Sequence, residues 1–393
     1  MKKVLISLIV IMSVLLIGYG FSYAISGQCV NCHTMHASQN GTFPSGMTSG
    51  PNSYLLLAGC ITCHEQNGGG QGDVNSFPAP IVFHTTAPSG QGGTYTNAGG
   101  DFYWVATGYG ATDGRGHNVA GISGEDAVIG SNAPGYTPPG WDPGATPGAL
   151  ADGQIAAGAA DWGSNQLNCA GQFGCHGNHS AVGDFPGIHG AHHGNTGGTA
   201  TQASSPTTIG NSYRFLSGIK GLEQVDWNFN ETTASHNEYY GYNDPNIRIQ
   251  SYTTYNDKGT ISYMCAECHG KFHSQIDEGT LGTPWLRHPT DIVLGRGAGT
   301  EYSAYNPNVG GGGTTYSLQA PVARGTVPAT SSLTVNTADG SGATGAIVMC
   351  LSCHRAHGSD QADILRWDYA GMVAGSSTNA GTGCFTCHTT KDG

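Results

Sequence analysis

All 12 cysteines of this 393-residue chain stand in pairs that end directly before a histidine. Five pairs read Cys-x-x-Cys-His: Cys29 and Cys32 with His33, Cys60 and Cys63 with His64, Cys265 and Cys268 with His269, Cys350 and Cys353 with His354, and Cys384 and Cys387 with His388. This spacing is the attachment site for c-type haem: two thiols add to the two vinyl groups, and the next residue supplies the proximal imidazole. At this cysteine and histidine content, chance would give roughly 0.02 such motifs. The chain must therefore fold around several covalent cofactors.

The remaining pair, Cys169 and Cys175 before His176, has five residues between the thiols instead of two. It keeps one thiol beside the axial imidazole, and glycines in the longer loop allow it to bulge outward and return Cys169 to the second vinyl. The alternatives are a single thioether at Cys175 or a Cys/His zinc site. Zinc needs four ligands, and no unclaimed cysteine is left to complete a tetrahedron. The expected cofactor content is six covalently bound haem c.

Without residues 1–24, six haems leave about 62 residues each, too few for an ordinary domain around every one. Charged residues are 10% of the chain and glycines number 64, which leaves little material for a large aliphatic core. The expected fold is mostly irregular coil with short helices and few short strands, an elongated multihaem cytochrome c wrapped around its haem chain. Short helices are expected at the haem segments, for example over Ile364 to Met372. A short hairpin is expected where β-formers cluster at Asp101 to Val105, and an unstructured loop over Asn306 to Thr315.

Met1-Lys2-Lys3, the apolar run Val4 to Ile17, and Ser22-Tyr23-Ala24 have the three regions of a signal peptide. Residues 1–24 are expected to be removed, leaving 25–393 as one elongated hexahaem domain. An uncleaved anchor is the competing reading, since Val4 to Phe21 is at the lower limit for a span. The expectation is a secreted protein on the outer surface or outside the cell, passing through the periplasm, with no stable membrane span. Loss of Lys2 and Lys3 takes the formal charge from −12 to −14. No basic stripe exists to neutralise phosphates, so nucleic acid is excluded as a partner.

Beyond the six proximal ligands His33, His64, His176, His269, His354 and His388, eleven histidines remain, enough to give every iron a second imidazole. A six-coordinate iron has no open position for substrate, so the expected role is electron transfer without catalysis. No Cys-x-x-Cys-Lys variant points to an open site. His36, His179 and His357 each follow a proximal histidine by three residues, at the first, third and fifth motifs. On a helical turn they would leave on the same side as that histidine, so each must serve a different haem. His84, His117 and His288 are the candidates for the even-numbered haems, with Pro289 biasing His288 towards an extended backbone. His192 and His193 rival His179. His189, His236 and His273 have no assigned role, and a second metal site on His189, His192 and His193 would find only Asp184 nearby as a carboxylate.

Several segments, not confined to the haem sites, resemble the OmcS-like extracellular hexahaem cytochromes of metal-reducing bacteria, which polymerise into conductive filaments. They are Cys32 to His36, Gly100 to Val105, Gly116-His117-Asn118, Asn165-Gln166-Leu167, Leu286 to Pro289 and Cys350 to His357, in the family's order. The spacing at Cys169 and the insertion around Ile188 to Asn195 depart from the family pattern. The resemblance implies bis-histidine ligation throughout, haems alternating between parallel and T-shaped stacking, and one axial histidine crossing between subunits. That residue would be His36, ligating the fifth haem of a neighbouring copy. The implied function is electron transfer along a self-assembled filament towards redox partner proteins or extracellular acceptors such as metal oxides. A monomeric periplasmic shuttle and a reductase with one open iron are the alternatives.

Overall fold

The computed structural model describes residues 33–34, 55–56, 59–66, 80–88, 97–109, 112–126, 136–141, 161–191, 202–224, 231–243, 257–272, 288–294, 302, 304–306, 315–337, 340, 342–376 and 381–390. Most of these are turns and irregular backbone. Among the described residues the α-helices are α1 (Cys60–His64), α2 (Asp184–Ile188) and α3 (Ile261–Ala266), accompanied by short 3-10 turns. Among the described residues no helix is long and apolar enough to cross a membrane; residues 1–24, Cys29, Cys32 and His36 lie outside them.

Two sheets organise the backbone of the described residues. Strands β1 (Asn168–Ala170) and β2 (Gly174–His176) pair in parallel. A second sheet has the order β3-β4-β5-β7-β8-β6, built from β3 (Gln202–Ala203), β4 (Gly221–Leu222), β5 (Glu238–Tyr240), β6 (Ile292–Val293), β7 (Ala323–Arg324) and β8 (Ile347–Val348). Its β5 and β7 run parallel and its other pairs antiparallel. Two- and three-residue strands carry too little alternation to be read from sequence. Fully buried Arg324 fastens this sheet, with Nε 2.8 Å from Oε2 of Glu238 and its Nη atoms on carbonyls of Ser332, Thr334, Thr344 and Gly345.

The apolar residues form small separate cores, three of which lie against cysteines of the motifs. Phe83, Phe102, Val105, Val119 and Ile122 pack with Ile61 and Cys169. Tyr213, Ile219, Tyr239, Ile261 and Ile347 pack with Cys175 and Cys265. Tyr305, Tyr316, Val322 and Val348 pack with Cys387. This is the distribution expected when a cofactor supplies much of the apolar surface in each region.

Two local expectations are corrected. Asp101 to Val105 is not a hairpin: Phe102–Trp104 is a 3-10 turn whose start is fixed by Asp101 Oδ1 accepting from the Tyr103 amide at 2.8 Å. A side-chain cap of this kind favours a helical start over a strand. Nor is Ile364 to Met372 helical. The 3-10 turn Ala362–Ile364 contains positive φ at Asp363 (56°) and Ile364 (52°), and Leu365 then turns extended. That left-handed pair breaks helical propagation. In the Asn306 to Thr315 segment, residues 307–314 lie outside the described residues.

A candidate multihaem site

Three Cys-x-x-Cys-His motifs share one backbone device. The amide of the histidine donates to the carbonyl of the first cysteine, His269 to Cys265 at 2.9 Å, His354 to Cys350 at 3.1 Å and His388 to Cys384 at 2.9 Å. One such turn holds two thiols and an imidazole together on a short piece of chain. At Cys265 the turn ends α3, whose start is capped by Thr260 Oγ1 accepting from the Tyr263 amide at 3.0 Å.

The wide motif solves the same problem differently. In the β1–β2 ladder Asn168 pairs with Gly174 and Ala170 with His176, so Cys169 and Cys175 stand side by side. Register partners in adjacent strands project to the same face, with backbones about 4.8 Å apart. The intervening loop turns at Gly171, φ 83°, where any Cβ would meet the carbonyls of Ala181 and Gly183. Both thiols are thus presented together despite the longer spacing. The offset argument for the second histidines needs correcting here, because His176 ends a strand and Gly177 reverses the chain at φ 77°. His179 does not follow on a helical turn.

The second to sixth motifs follow one another in space as in sequence. The Cys60 thiol neighbours that of Cys169, and the Cys265 thiol that of Cys350. Cys175 lies within electrostatic reach of Cys265 and Cys268, and Cys353 of Cys384 and Cys387. The second to sixth motifs therefore form a continuous series. Burial pushes the Cys175 thiol up to about 11 and the Cys353 thiol up to about 12, so these two are neutral in the packed chain.

The imidazoles are oriented by a recurring contact. Nδ1 meets a backbone carbonyl at His64 (Pro80, 2.7 Å), His117 (Ala356, 2.5 Å), His176 (Arg214, 2.8 Å), His269 (Pro139, 2.7 Å), His288 (Pro289, 3.0 Å) and His354 (Asp363, 2.9 Å). At His84 the acceptor is the buried Asp101 carboxylate, 2.5 Å away. A proton held on Nδ1 leaves the lone pair on Nε2, the tautomer and orientation that metal-ligating histidines adopt. Burial lowers the pKa of His64 and His117 and takes His176 to about 4 and His357 to about 3. The rings are thereby kept neutral, as ligation requires.

Two expected ligands face proximal histidines. The ring centres of His117 and His269 are 6.2 Å apart, and those of His288 and His388 are 6.0 Å apart. With metal–nitrogen bonds of roughly 2 Å on both sides, imidazoles sharing one metal have centres about 6 Å apart. His357 is buried and stacked on Phe102 at 4.7 Å. Gly99, Gly100, Gly116 and Gly358 allow its segment to approach those of Asp101 and His117, with amide–carbonyl bonds from His357 to Gly99, Asp101 to Gly358 and His117 to His357. His179 is placed otherwise, with Nδ1 3.0 Å from Glu267 Oε2 and Nε2 3.0 Å from the Cys175 carbonyl. His33 is half-buried in a bridge with Leu56. His189 is exposed, and His236 is buried against Glu238 and stacked on Tyr316 at 3.7 Å. His192, His193 and His273 lie outside the described residues, among which no separate metal cluster occurs.

Sequence reasoning missed the charged supports Asp101, Glu267, Arg355 and Arg366. Arg355 Nη1 donates to the Asn97 carbonyl at 2.7 Å; Arg366 donates to carbonyls of Leu351, His354, Leu318 and Ala98. Both are buried, and no carboxylate among the described residues forms an ion pair with either. Buried guanidiniums call for a compensating anion, and haem brings two propionates, so the donor set fits the cofactor. A signal was available: Lys and Arg together number only 14, and two arginines, Arg355 and Arg366, follow the fifth motif.

A family profile described as the doubled CXXCH motif matches residues 343–393, which hold the fifth and sixth motifs. The chain is 27% identical over 390 residues to the C-type cytochrome OmcS of Geobacter sulfurreducens, covering 87% of this chain and 79% of that one. Two solved structures are similar at 21% identity. The outer membrane cytochrome S filament of Geobacter sulfurreducens has a TM-score of 0.44 over 90% of this chain and 86% of its own. The OmcS nanowires of the same organism give 0.46 over 95% and 92%. In its repeated haem motifs and in this relative, the chain is similar to the multihaem c-type cytochrome OmcS.

Proposed function

We propose that the protein is a six-haem electron carrier with two histidines on every iron, acting as the subunit of an extracellular filament. The observation that carries the ligation reading is the shared Nδ1 engagement of His64, His84, His117, His176, His269, His288 and His354. The paired cysteines Cys29/Cys32, Cys60/Cys63, Cys169/Cys175, Cys265/Cys268, Cys350/Cys353 and Cys384/Cys387 would hold the six porphyrins. The proximal ligands are His33, His64, His176, His269, His354 and His388. The distal set is His84, His117, His179, His288 and His357 within the subunit, with His36 given to the next one. When bound, haem supplies one-electron chemistry between ferric and ferrous iron.

The chain's own residues fix tautomers, exclude water and offset propionate charge. With both axial positions filled by imidazole, no substrate site exists at iron, which favours a carrier over an enzyme. The filament and its extracellular place rest on the OmcS likeness and on the position of His36, 12 residues beyond the expected signal cleavage after Ala24. Metal oxides or redox proteins would accept the electrons.

Intact-mass and EPR measurements on the purified protein test the ligation: six haem additions on a chain beginning at Ile25, all low-spin. One high-spin iron before any treatment would favour a reductase. His36→Ala tests assembly. It should give monomers or short oligomers with six haems and one high-spin iron per subunit, and normal all-low-spin filaments would refute the crossing ligand.

A further inference from the structure

Trp162 is 2% exposed, and its indole Nε1 has no hydrogen-bond partner. Buried tryptophan N–H groups nearly always find an acceptor, and one left unpaired is destabilising. The ring is held edge-on by Phe173 at 5.2 Å and Trp141 at 6.1 Å. Phe173 lies in the loop between Cys169 and Cys175. On its other side, the Trp162 amide donates to Thr137 Oγ1 at 2.9 Å, two residues from Pro139, whose carbonyl orients His269. Trp162 thus stands at the junction of the third and fourth haem motifs, with a donor aimed at no protein atom.

We infer that Trp162 Nε1 donates to a haem propionate at this junction, a positioning and tuning contact for the third or fourth haem. Haem offers few other acceptors, because its pyrrole nitrogens are occupied by iron, and a carboxylate takes an N–H strongly. The bond would withdraw propionate charge from the iron, favour the ferrous state and raise that haem's potential. The inference rests on the haem reading of both motifs.

The test is Trp162→Phe in the full-length holoprotein, which keeps the aromatic packing and removes the donor. Mass and EPR come first: six low-spin haems leave the underlying reading intact, whereas a wild type lacking haem on Cys169–His176 and Cys265–His269 by peptide mapping overturns that reading and the inference with it. Spectroelectrochemistry should then show one redox transition moved to lower potential. Ultraviolet resonance Raman difference spectra, wild type against variant, should place the Trp162 N–H band at its hydrogen-bonded position. Unchanged potentials, or a band at the non-bonded position, overturn the contact. If the variant does not fold, cryo-EM of the wild type decides: a propionate oxygen about 2.9 Å from Nε1 supports it, and none within about 3.5 Å refutes it.

Discussion

The carboxylate of Glu267, inside the fourth haem motif, lies 3.0 Å from Nδ1 of His179, which follows the third. Both side chains are buried. The pair links two neighbouring cofactor sites, and it has the form of a carboxylate orienting an imidazole. The Cys175 carbonyl holds the other ring nitrogen at 3.0 Å, so ligation by His179 requires the ring to exchange that carbonyl for iron.

Replacing Glu267 with Gln keeps the shape and removes the charge. If His179 is an axial ligand, its basicity falls, and the potential of its haem should rise with all irons still low-spin. His179→Ala should in turn create one high-spin, carbon-monoxide-binding iron. A His179→Ala protein that stays low-spin throughout would give the site to His192 or His193.

Asp101 makes a parallel case with a second readout. It holds Nδ1 of His84 at 2.5 Å and also caps Phe102–Trp104. Asp101→Asn should raise the potential of the His84 haem while preserving most of the cap. Asp101→Ala should add a loss of about 1 kcal/mol from the cap, visible in thermal unfolding. Equal potentials in wild type and both variants would detach Asp101 from the haem.

At the wide motif, the side-by-side register predicts two thioethers. Cys169→Ala should keep six haems by mass, because Cys175 and His176 still hold the third. One vinyl would then remain unsaturated, moving the α-band of one haem to the red. An unchanged band in the variant would mean that Cys169 never bonded.

How far the chain could be read in advance depended on the range of the interaction. The haem motifs are local, so the c-type haem character and the coil-rich fold were legible from Cys-x-x-Cys-His and the glycine content. His117 illustrates the limit. Its candidacy came from sequence, yet its orientation depends on the Ala356 carbonyl, 239 residues away. The six-stranded sheet was illegible because its strands are two or three residues long and are set by partners such as Arg324 and Glu238. The hairpin expected at Asp101 failed because aromatic β-propensity was outweighed by one capping carboxylate.

The buried imidazoles set a direction for pH. Burial takes His176 to about 4 and His357 to about 3, from an ordinary value of 6.5. Between those limits the unfolded chain binds protons that the native rings refuse, so stability rises with pH across the window. The contribution is complete above about 6.5 and declines as pH falls towards the native values. Iron ligation acts in the same direction, since a protonated imidazole cannot bind metal. Thermal unfolding should therefore show a plateau near neutrality and a falling midpoint below pH of about 6, with low-spin spectra giving way to high-spin as pH approaches about 4. A flat midpoint down to that pH would mean that protonation of these rings in the unfolded chain does not limit stability.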